Sequence, residues 1–518
     1  MVRHREKTDQ IQAGAVLSFV QMVLGMLLVL TYTPIMIRQL GQSEYGLYNT
    51  AWSTAYMLSI LSLGFNSGYI RYYTRYKQRG DEASIARLNG LFLIIFTIIG
   101  AVALVCGLYV TEHLELIFDA GLTEQEYGIA RILMLLLTLH MAIGFPASVF
   151  SSIISAHERF IVLRILDMGK NVLAPLLTIP VLFAGGKSVS VVLITLLVSL
   201  AVNAAYVFYV FVILKNRFVF HGFEEGIFKS LFIYTVFIAI NLIIDQVNGN
   251  IDKLLLGRFH GTSSVAVYSA GFTLYNYVVS ALLLVSGVFT PWIHRIVEET
   301  REEEKEQRKR LTELFVKVGR IQFMLLALLC TGFVFWGEAF IVKFWAGPGY
   351  EEAYEVALLL LLPGSIALVQ DLGIEIQRAL NRHRFRSIVY SVMAVINLAL
   401  TVWLCKSYGA VGAAVGTAIS FLLCNGIVMN IYYHLRCNLD IICFWKHIGS
   451  VAKGLILPIA AGIALHAWVE VDSVARLILV IFIYVLVYGF SMWLFGMNGE
   501  EKEMLLKPVR RFCKMKDR

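Results

Sequence analysis

Charged residues are scarce in this sequence. Asp, Glu, Lys and Arg together make up 15% of its 518 residues, whereas 58% are hydrophobic and the mean hydropathy is +0.72. A soluble globular domain carries about 25% charged residues. The composition therefore excludes a water-soluble globule and indicates an all-α polytopic membrane protein.

The sequence also lacks the spacings that mark disulfides, metal sites and nucleotide sites. Its seven cysteines are scattered without C-x-x-C spacing, so neither a disulfide framework nor a zinc site is expected. No phosphate-binding P-loop and no dinucleotide fingerprint occurs. These absences argue against an enzyme and predict no catalytic residue, no metal and no cofactor.

Long apolar runs dominate the chain. About 20 residues are needed to cross the hydrocarbon core, which is about 30 Å thick. The first run far exceeds the apolar part of a signal peptide and lacks a cleavage site, so we expect it to be retained. Fourteen runs qualify, at 12–37, 46–70, 88–110, 129–153, 161–183, 189–214, 230–256, 263–290, 318–337, 354–378, 387–405, 410–433, 448–468 and 473–496. The sequence therefore predicts 14 transmembrane helices.

The distribution of basic residues predicts the orientation. If the amino terminus is cytoplasmic, only eight of the 44 Lys and Arg residues lie outside: Arg38, Arg131, Lys187, Lys253, Arg258, Lys343, Lys406 and Arg476. Because cytoplasmic loops carry the excess of Lys and Arg, both termini are predicted to be inside. Topology thus accounts for the net charge of +8, and nucleic acid is not an expected partner.

The chain resembles itself at a nearly constant spacing. "RQLGQSEYGLY" at 38–48, after span 1, aligns with "RFHGTSSVAVY" at 258–268, after span 7. "ISAHERF" at 154–160 aligns in the same way with "ALNRHRF" at 379–385. Six spans separate the copies, and because six is even the two copies have the same orientation and form a parallel repeat. We therefore expect two six-helix lobes and a terminal helix pair.

This architecture gives the predicted domains. They are an N-terminal lobe at 1–214, a cytoplasmic inter-lobe loop at 215–229, a C-terminal lobe at 230–433, a terminal helix pair at 434–496 and a basic cytoplasmic tail at 497–518. Charges of both signs alternate over 297–317, which is typical of a solvated helix on the cytoplasmic surface. That helix is either a lobe-to-lobe linker or a regulatory or partner site.

Three stretches, "TPIMIRQLGQSEYGLYNT", "LSLGFNSGYIRYYTRYKQRG" and "NGNIDKLLLGRFHG", resemble the oligosaccharide flippases of polysaccharide biosynthesis. These belong to the multidrug/oligosaccharidyl-lipid/polysaccharide exporter superfamily. The resemblance implies a multi-pass protein of the bacterial cytoplasmic membrane that moves a lipid-linked oligosaccharide, usually on undecaprenyl pyrophosphate, by rocking two lobes around a cavity. Membrane lipids and other polysaccharide assembly proteins are the further partners that it implies.

Four alternatives stay open at this stage, and one of them is a pseudo-transporter that acts as a scaffold. A cation-coupled multidrug or toxin exporter would share the fold. A lipid II flippase would too, but those proteins carry cations well inside the first two spans, whereas no Lys or Arg lies between Lys7 and Arg38 or between Arg38 and Arg71. A membrane polymerase or ligase would need a substantial outer-face site, and the outside loops are short.

Span 7 contains the polar stretch "NLIIDQVNGNIDKLL". Asn241, Asp245, Asn248 and Asp252 are spaced i, i+4, i+7 and i+11, which confines them to about 60° of a helix. A carboxylate at the centre of a bilayer costs about 2.5 to 3.5 kcal/mol and normally faces a wet cavity or a bundle interior. The face is predicted to bind sugar hydroxyls or a coupling ion, with interhelical hydrogen bonding as the alternative.

Span 10 repeats this spacing with Asp371 and Glu375, followed by Arg378 and Arg382. Glu375 can pair with either arginine, which would leave a neutral helix end. If Asp371 and Glu375 lie close together, repulsion favours protonation of one of them. The pair is therefore a candidate site for proton or sodium coupling.

Basic residues at inner span ends form a candidate mouth for a pyrophosphate head group. Arg71 and Arg75 end span 2, and Arg295 ends span 8. The positive-inside rule explains the same residues without a ligand. Elsewhere, Tyr32 is a candidate for stacking on a sugar ring or for an interfacial anchor, and His140 is predicted to be a hydrogen-bonded core residue.

Overall fold

The computed structural model describes residues 2–118, 122–224, 226–504 and 506, so most of the predicted tail at 497–518 lies outside the described residues. The described chain forms helices and no strand, as expected where lipid cannot satisfy exposed backbone groups. The α-helices are α1 Val2–Leu40, α2 Gln42–Met57, α3 Phe65–Gln78, α4 Glu82–Glu112, α5 Glu124–Ala156, α6 Phe160–Phe183, α7 Ser188–Phe208, α8 Ile227–Gly287, α9 Thr290–Glu299, α10 Glu304–Ala339, α11 Glu351–Val369, α12 Leu372–Ala379, α13 His383–Phe421, α14 Met429–Arg436, α15 Ile441–Ala452, α16 Ile456–Trp468 and α17 Val474–Ser491.

Ten helical segments of the described chain are long and apolar enough to cross a membrane. The count is below fourteen partly because α8 and α13 each continue from one predicted span into the next. The helix α6 is not among the ten, and it carries Arg164, Asp167 and Lys170 inside its apolar run. The described part of the chain is all-helical, and the protein is a multi-pass membrane protein.

Two glycines break the long helices that contain two predicted spans each. Gly261 in α8 has φ 77° and ψ −172°, and Gly409 in α13 has φ 56° and ψ −134°. Both conformations lie at positive φ, where a side chain is strained and glycine is not. Each glycine therefore marks the point at which one predicted span gives way to the next.

Two other predicted spans are interrupted where the sequence predicts continuous helices. In span 2, α2 ends at Met57, and a 3₁₀ turn and the positive-φ residues Leu63 and Gly64 precede α3. In span 10, α11 ends at Val369 and α12 begins at Leu372. Asp371 thus lies in the turn before α12, and Arg382 lies beyond the end of α12, so the four residues predicted on one face do not all lie within one helix.

The charged segment at 297–317 does not form a helix of its own. The helix α9 ends at Glu299, a turn follows, and α10 begins at Glu304 and continues to Ala339. The charged residues from 304 onward form the first turns of α10. The same helix then becomes the apolar span predicted at 318–337.

Backbone conformations with positive φ recur at a nearly constant spacing along the chain. Gly41 and Gly261, which the predicted internal repeat aligns, have φ 80° and 77°. Three further pairs with positive φ keep almost the same separation: Glu158 with Asn381, Lys215 with Asn438 and Gly185 with Gly409. Each of these positions lies in a break within a helix or in the turn after a helical segment.

The chain divides into two compact units. Unit 1 comprises Met1–Ser269 with Ala394–Ala413, so it includes the segment 215–229. The core of this unit contains Phe92 and Tyr69, whose hydroxyl donates to Asn89 Oδ1 at 2.7 Å. At Gly46 a Cβ atom would lie 1.8 Å from the carbonyl oxygen of Thr262, so α2 and α8 touch through their backbones.

Unit 2 comprises Ala270–Met393 with Ala414–Arg518. Phe315 of α10 stacks on Phe444 of α15, with ring centroids 4.4 Å apart. Gly319 permits this approach, because a Cβ atom there would lie 2.4 Å from the Phe444 ring. Aromatic packing therefore joins α10 to α15.

Candidate functional site

The polar face predicted on span 7 lies on α8, but its members have different environments. Asp252 is buried, with 3% of its surface exposed, and accepts a hydrogen bond of 2.5 Å from the Tyr268 hydroxyl. The break at Gly261 lets Tyr268 reach back to this carboxylate. Asp245 is exposed and Asn248 is half-buried, whereas the side chain of Asn241 lies outside the described residues.

Asp371 and Glu375 also have different partners. Ser286 Oγ donates to a carboxylate oxygen of Asp371 at 2.5 Å, and Asp371 is half-buried in the turn between α11 and α12. Glu375 forms an ion pair of 2.6 Å with Arg378. Glu375 is therefore neutralised by its own helix, while Asp371 accepts from an uncharged hydroxyl.

The arginines predicted at the head-group mouth are all exposed. Arg71 and Arg75 lie on α3 in unit 1. In unit 2 the Arg295 guanidinium forms an ion pair of 2.6 Å with Glu299, which also pairs with Arg310 at 2.9 Å. Arg295 therefore offers less free positive charge than its sequence position indicates.

A buried ion pair, not predicted from the sequence, lies near Arg295 in unit 2. The Arg320 side chain, 4% exposed, binds Glu501 through two hydrogen bonds of 2.6 and 2.9 Å. The same guanidinium donates to the carbonyl oxygens of His447 and Gly496 and to Ser450 Oγ, so its five donors are all used. These bonds fasten the segment after α17 to α10.

The electrostatics of this pair follow from its geometry. Hydrogen bonds from the Arg320 guanidinium oppose the effect of burial and hold the pKa of Glu501 below its ordinary value. The pair lines a cavity of about 610 Å³, whose wall also includes Arg295, Glu299 and Arg310. Because acids and bases alternate in this wall, it favours neither sign of charge strongly.

The second cavity, which we call the unit 1 cavity, has a volume of about 560 Å³ and an aromatic wall. It includes Tyr32, Tyr48 and Tyr56, together with Trp52, which packs edge-on against His140 at a centroid distance of 5.7 Å. Tyr32 therefore faces the interior of unit 1 rather than serving only as an interfacial anchor. His140 is a cavity residue in contact with Trp52.

Lys170 is a charged residue of this cavity that was not predicted from the sequence. Positive-inside topology offers an explanation for it, because the residue follows a predicted cytoplasmic loop. In the structure it is the eleventh residue of α6, about 15 Å from the start of the helix at 1.5 Å per residue. That depth is the signal that could have identified it, since topological cations cluster at span ends.

No group of three or more His, Cys, Asp or Glu side chains in the described part of the chain is arranged to hold a metal ion. The residues that line the two cavities offer hydrogen bonding, ion pairing and stacking. These interactions suit reversible binding of a polar solute. They also suit the folding of charged side chains into an apolar protein.

Comparisons with solved structures place the fold. The chain is similar to the lipid II flippase MurJ in an inward closed conformation, with a TM-score of 0.69 and 14% identity over 93% of this chain and 98% of that one. It is also similar to an inward-facing transporter of the multidrug resistance MATE family of the MOP superfamily, with a TM-score of 0.62 and 14% identity over 81% and 99% of the two chains.

Comparisons of sequence identify the family more specifically than the shared fold does. A protein of Shigella flexneri described as an O-antigen transporter is 21% identical over 77% of this chain and 92% of its own length. The amylovoran biosynthesis protein AmsL of Erwinia amylovora is 27% identical over 48% of this chain and 62% of its own. The family model described as "Polysaccharide biosynthesis protein" matches residues 11–297, more than half of the chain, and the chain belongs to this family.

Proposed function

We propose that this protein flips a lipid-linked oligosaccharide across the bacterial cytoplasmic membrane for the synthesis of a cell-surface polysaccharide. The observation that carries the proposal is the match of residues 11–297 to the polysaccharide biosynthesis family. Likeness to an O-antigen transporter over 92% of that relative's length supports it. The relatives and structural neighbours are transporters rather than enzymes, so we assign no catalytic step.

We further propose fourteen crossings arranged as two parallel six-helix lobes and a terminal pair, with both termini in the cytoplasm. The recurrence of paired positive-φ positions at a nearly constant spacing supports a duplicated lobe. The distribution of basic residues supports the orientation. Undecaprenyl pyrophosphate is the proposed carrier, and Arg71 and Arg75 on α3 are the proposed contacts for its head group.

The residues divide into proposed roles according to their partners. Asp371 is the proposed site for a coupling proton or sodium ion, because its carboxylate is half-buried and the Ser286 hydroxyl that donates to it is uncharged. Asp245 is exposed on α8 and is the proposed contact for sugar hydroxyls. The aromatic unit 1 cavity is the proposed site for a sugar ring, since aromatic faces with a few polar groups suit such ligands.

The test uses a deletion strain complemented with the wild-type chain or with variants. We expect the deletion to accumulate lipid-linked oligosaccharide in the inner leaflet and to lose the surface glycan, and the wild-type chain to reverse both. Asp371→Asn is expected to reduce surface glycan at least tenfold, with Asp472→Asn on an exposed turn as the matched control. Accumulation that the wild-type chain does not reverse would refute the proposal.

The exporter alternative predicts a different phenotype. A cation-coupled drug exporter shares the fold, but likeness at 14% identity concerns the fold alone. Its deletion would increase sensitivity to cationic drugs and leave the lipid-linked sugars in normal distribution. The same strain therefore separates the two functions. A lipid II flippase would instead block cell-wall synthesis, and the absence of cations deep in spans 1 and 2 argues against it.

A further inference from the structure

The unit 1 cavity contains an ammonium group that has no ion-pair partner among the described residues. Among the residues that the structure describes, its wall includes Lys170 and no aspartate or glutamate. Asp167 is the nearest acid along α6. It influences Lys170 electrostatically but forms no ion pair with it. Its carboxylate accepts a hydrogen bond of 2.6 Å from the Tyr206 hydroxyl and does not line the cavity.

Such a cation is expensive to keep without a partner. A lysine near the middle of a membrane-length helix is disfavoured by several kcal/mol unless it faces a wet cavity or a counter-ion. The position of Lys170, about 15 Å into α6, excludes a simple location at the end of a span. Because the described part of the wall supplies no acid, an anion that enters the cavity would meet this charge directly.

The surroundings of Lys170 restrict what that anion is attached to. Tyr32, Tyr48, Trp52 and Tyr56 contribute flat apolar faces, and Tyr48 and Trp52 contact each other at a centroid distance of 6.3 Å. Asn66 and Asn171 add amide groups that can bind hydroxyls. The volume of about 560 Å³ lies within the range of small-molecule sites, about 300 to 1,000 Å³.

We propose that the unit 1 cavity binds a sugar ring carrying one carboxylate, a uronic acid, and that Lys170 pairs with that carboxylate. The inference rests on the proposed function and specifies the class of glycan moved. A pyrophosphate group carries at least two negative charges, and the single lysine matches it less well than it matches one carboxylate. The aromatic faces also fit a sugar ring and have no role in binding a bare phosphate.

The test is a binding titration of the purified full-length chain in detergent micelles. Methyl β-glucuronide is compared with methyl β-glucoside, which differs in the charged group, and with inorganic pyrophosphate. We expect the glucuronide to bind at least tenfold more tightly than the glucoside, as a charge-assisted hydrogen bond predicts. Lys170→Met is expected to remove this preference, so that the variant binds the two sugars equally.

The matched control is Lys187→Met. Its ammonium donates to the carbonyl oxygen of Gln39 at 3.0 Å, outside the cavity, so the preference for glucuronide should persist. A melting curve of Lys170→Met shows whether the variant is folded, and Trp52→Leu provides a second test that should weaken binding of both sugars. Equal binding of the two sugars by the wild-type chain overturns the inference.

Two further results also overturn it. One is a preference for glucuronide that survives in Lys170→Met. The other is binding of pyrophosphate that depends on Lys170 and is tighter than that of the glucuronide, which would make the cavity a head-group site.

If the wild-type chain restores surface glycan in the deletion strain and shows no preference, the inference fails while the proposed function stands. If the chain does not restore the glycan, the proposed function fails independently of the titration.

Discussion

Lys170 in unit 1 and Arg320 in unit 2 both lie well inside long helices, yet their surroundings differ. All five donors of Arg320 are occupied, and its charge is met by Glu501. Lys170 lines a cavity in whose wall the described residues include no acid. A cation whose partners all lie within the protein contributes to folding. A cation that faces a cavity without an acid is available to a ligand.

The largest expected effect on stability is in unit 2, where the charge of Arg320 is matched by Glu501. Glu501→Gln removes one partner of a buried ion pair and leaves the Arg320 guanidinium enclosed without a carboxylate. We expect the free energy of unfolding to fall by about 3 to 5 kcal/mol. Chemical unfolding in detergent measures this, and Asp472→Asn is the control because its pair with Arg476 is exposed and is expected to contribute about 0 to 1 kcal/mol. Equal losses in the two variants would contradict the comparison.

Acid should reproduce part of this effect in the wild-type chain. The folded pKa of Glu501 lies below its ordinary value of 4.5, so its stabilisation is complete above pH about 4.5 and is lost as the pH falls through the folded pKa. We expect the difference in stability between wild type and Glu501→Gln to be constant from pH 7 to 5 and to shrink below 4.5. A difference that stays constant down to pH 3 would show that the carboxylate does not titrate in this range.

A smaller effect on stability is expected at Asp252, the buried acid of unit 1 that accepts a hydrogen bond from Tyr268. Tyr268→Phe deletes the hydroxyl that donates to its buried carboxylate, with little change in shape. Removal of one partner of a buried hydrogen bond is expected to destabilise the protein by about 1 to 3 kcal/mol. Tyr408→Phe, at an exposed tyrosine of the same unit, is the control. A loss no larger than that of the control would make Asp252 independent of Tyr268.

The smallest expected effect on stability is at Lys170. Lys170→Met removes a charge without removing an ion pair formed by the described residues, so we expect a change within about 1 kcal/mol, in either direction. The same unfolding assay measures it beside Glu501→Gln. A loss as large as that of Glu501→Gln would show that Lys170 is a structural cation, and the contrast between the two units would disappear.

The sequence predicts the helical class and the apolar segments because both depend on local composition. The helix breaks at glycine could be predicted in part from the sequence, since Gly41 and Gly261 align in the repeat. The interruption before Asp371 could not be anticipated, because neither of the two residues between α11 and α12, Gln370 and Asp371, is a glycine or a proline. A polar spacing alone therefore overestimated how many of the residues from 371 to 382 share a face.

The site was harder to predict because its members are distant in sequence. Arg320 and Glu501 are 181 residues apart, and no periodicity links them. Asp252 and Tyr268 are only 16 residues apart, but their contact requires the chain to reverse at Gly261. The distance of Lys170 from the end of its span can be counted along the sequence. However, the positive-inside rule already explains a lysine there without a cavity.

The pairing of Arg320 with Glu501 also determines how late in translation unit 2 can complete its packing. A ribosome adds about 5 to 20 residues per second, so the 181 residues between them take roughly 10 to 35 s to make. During that time α10 is already made, and its guanidinium lacks the carboxylate and the Gly496 carbonyl that will enclose it. Unit 2 therefore reaches its final packing only after almost the whole chain has been translated, and insertion of α10 must tolerate a temporarily unmatched charge.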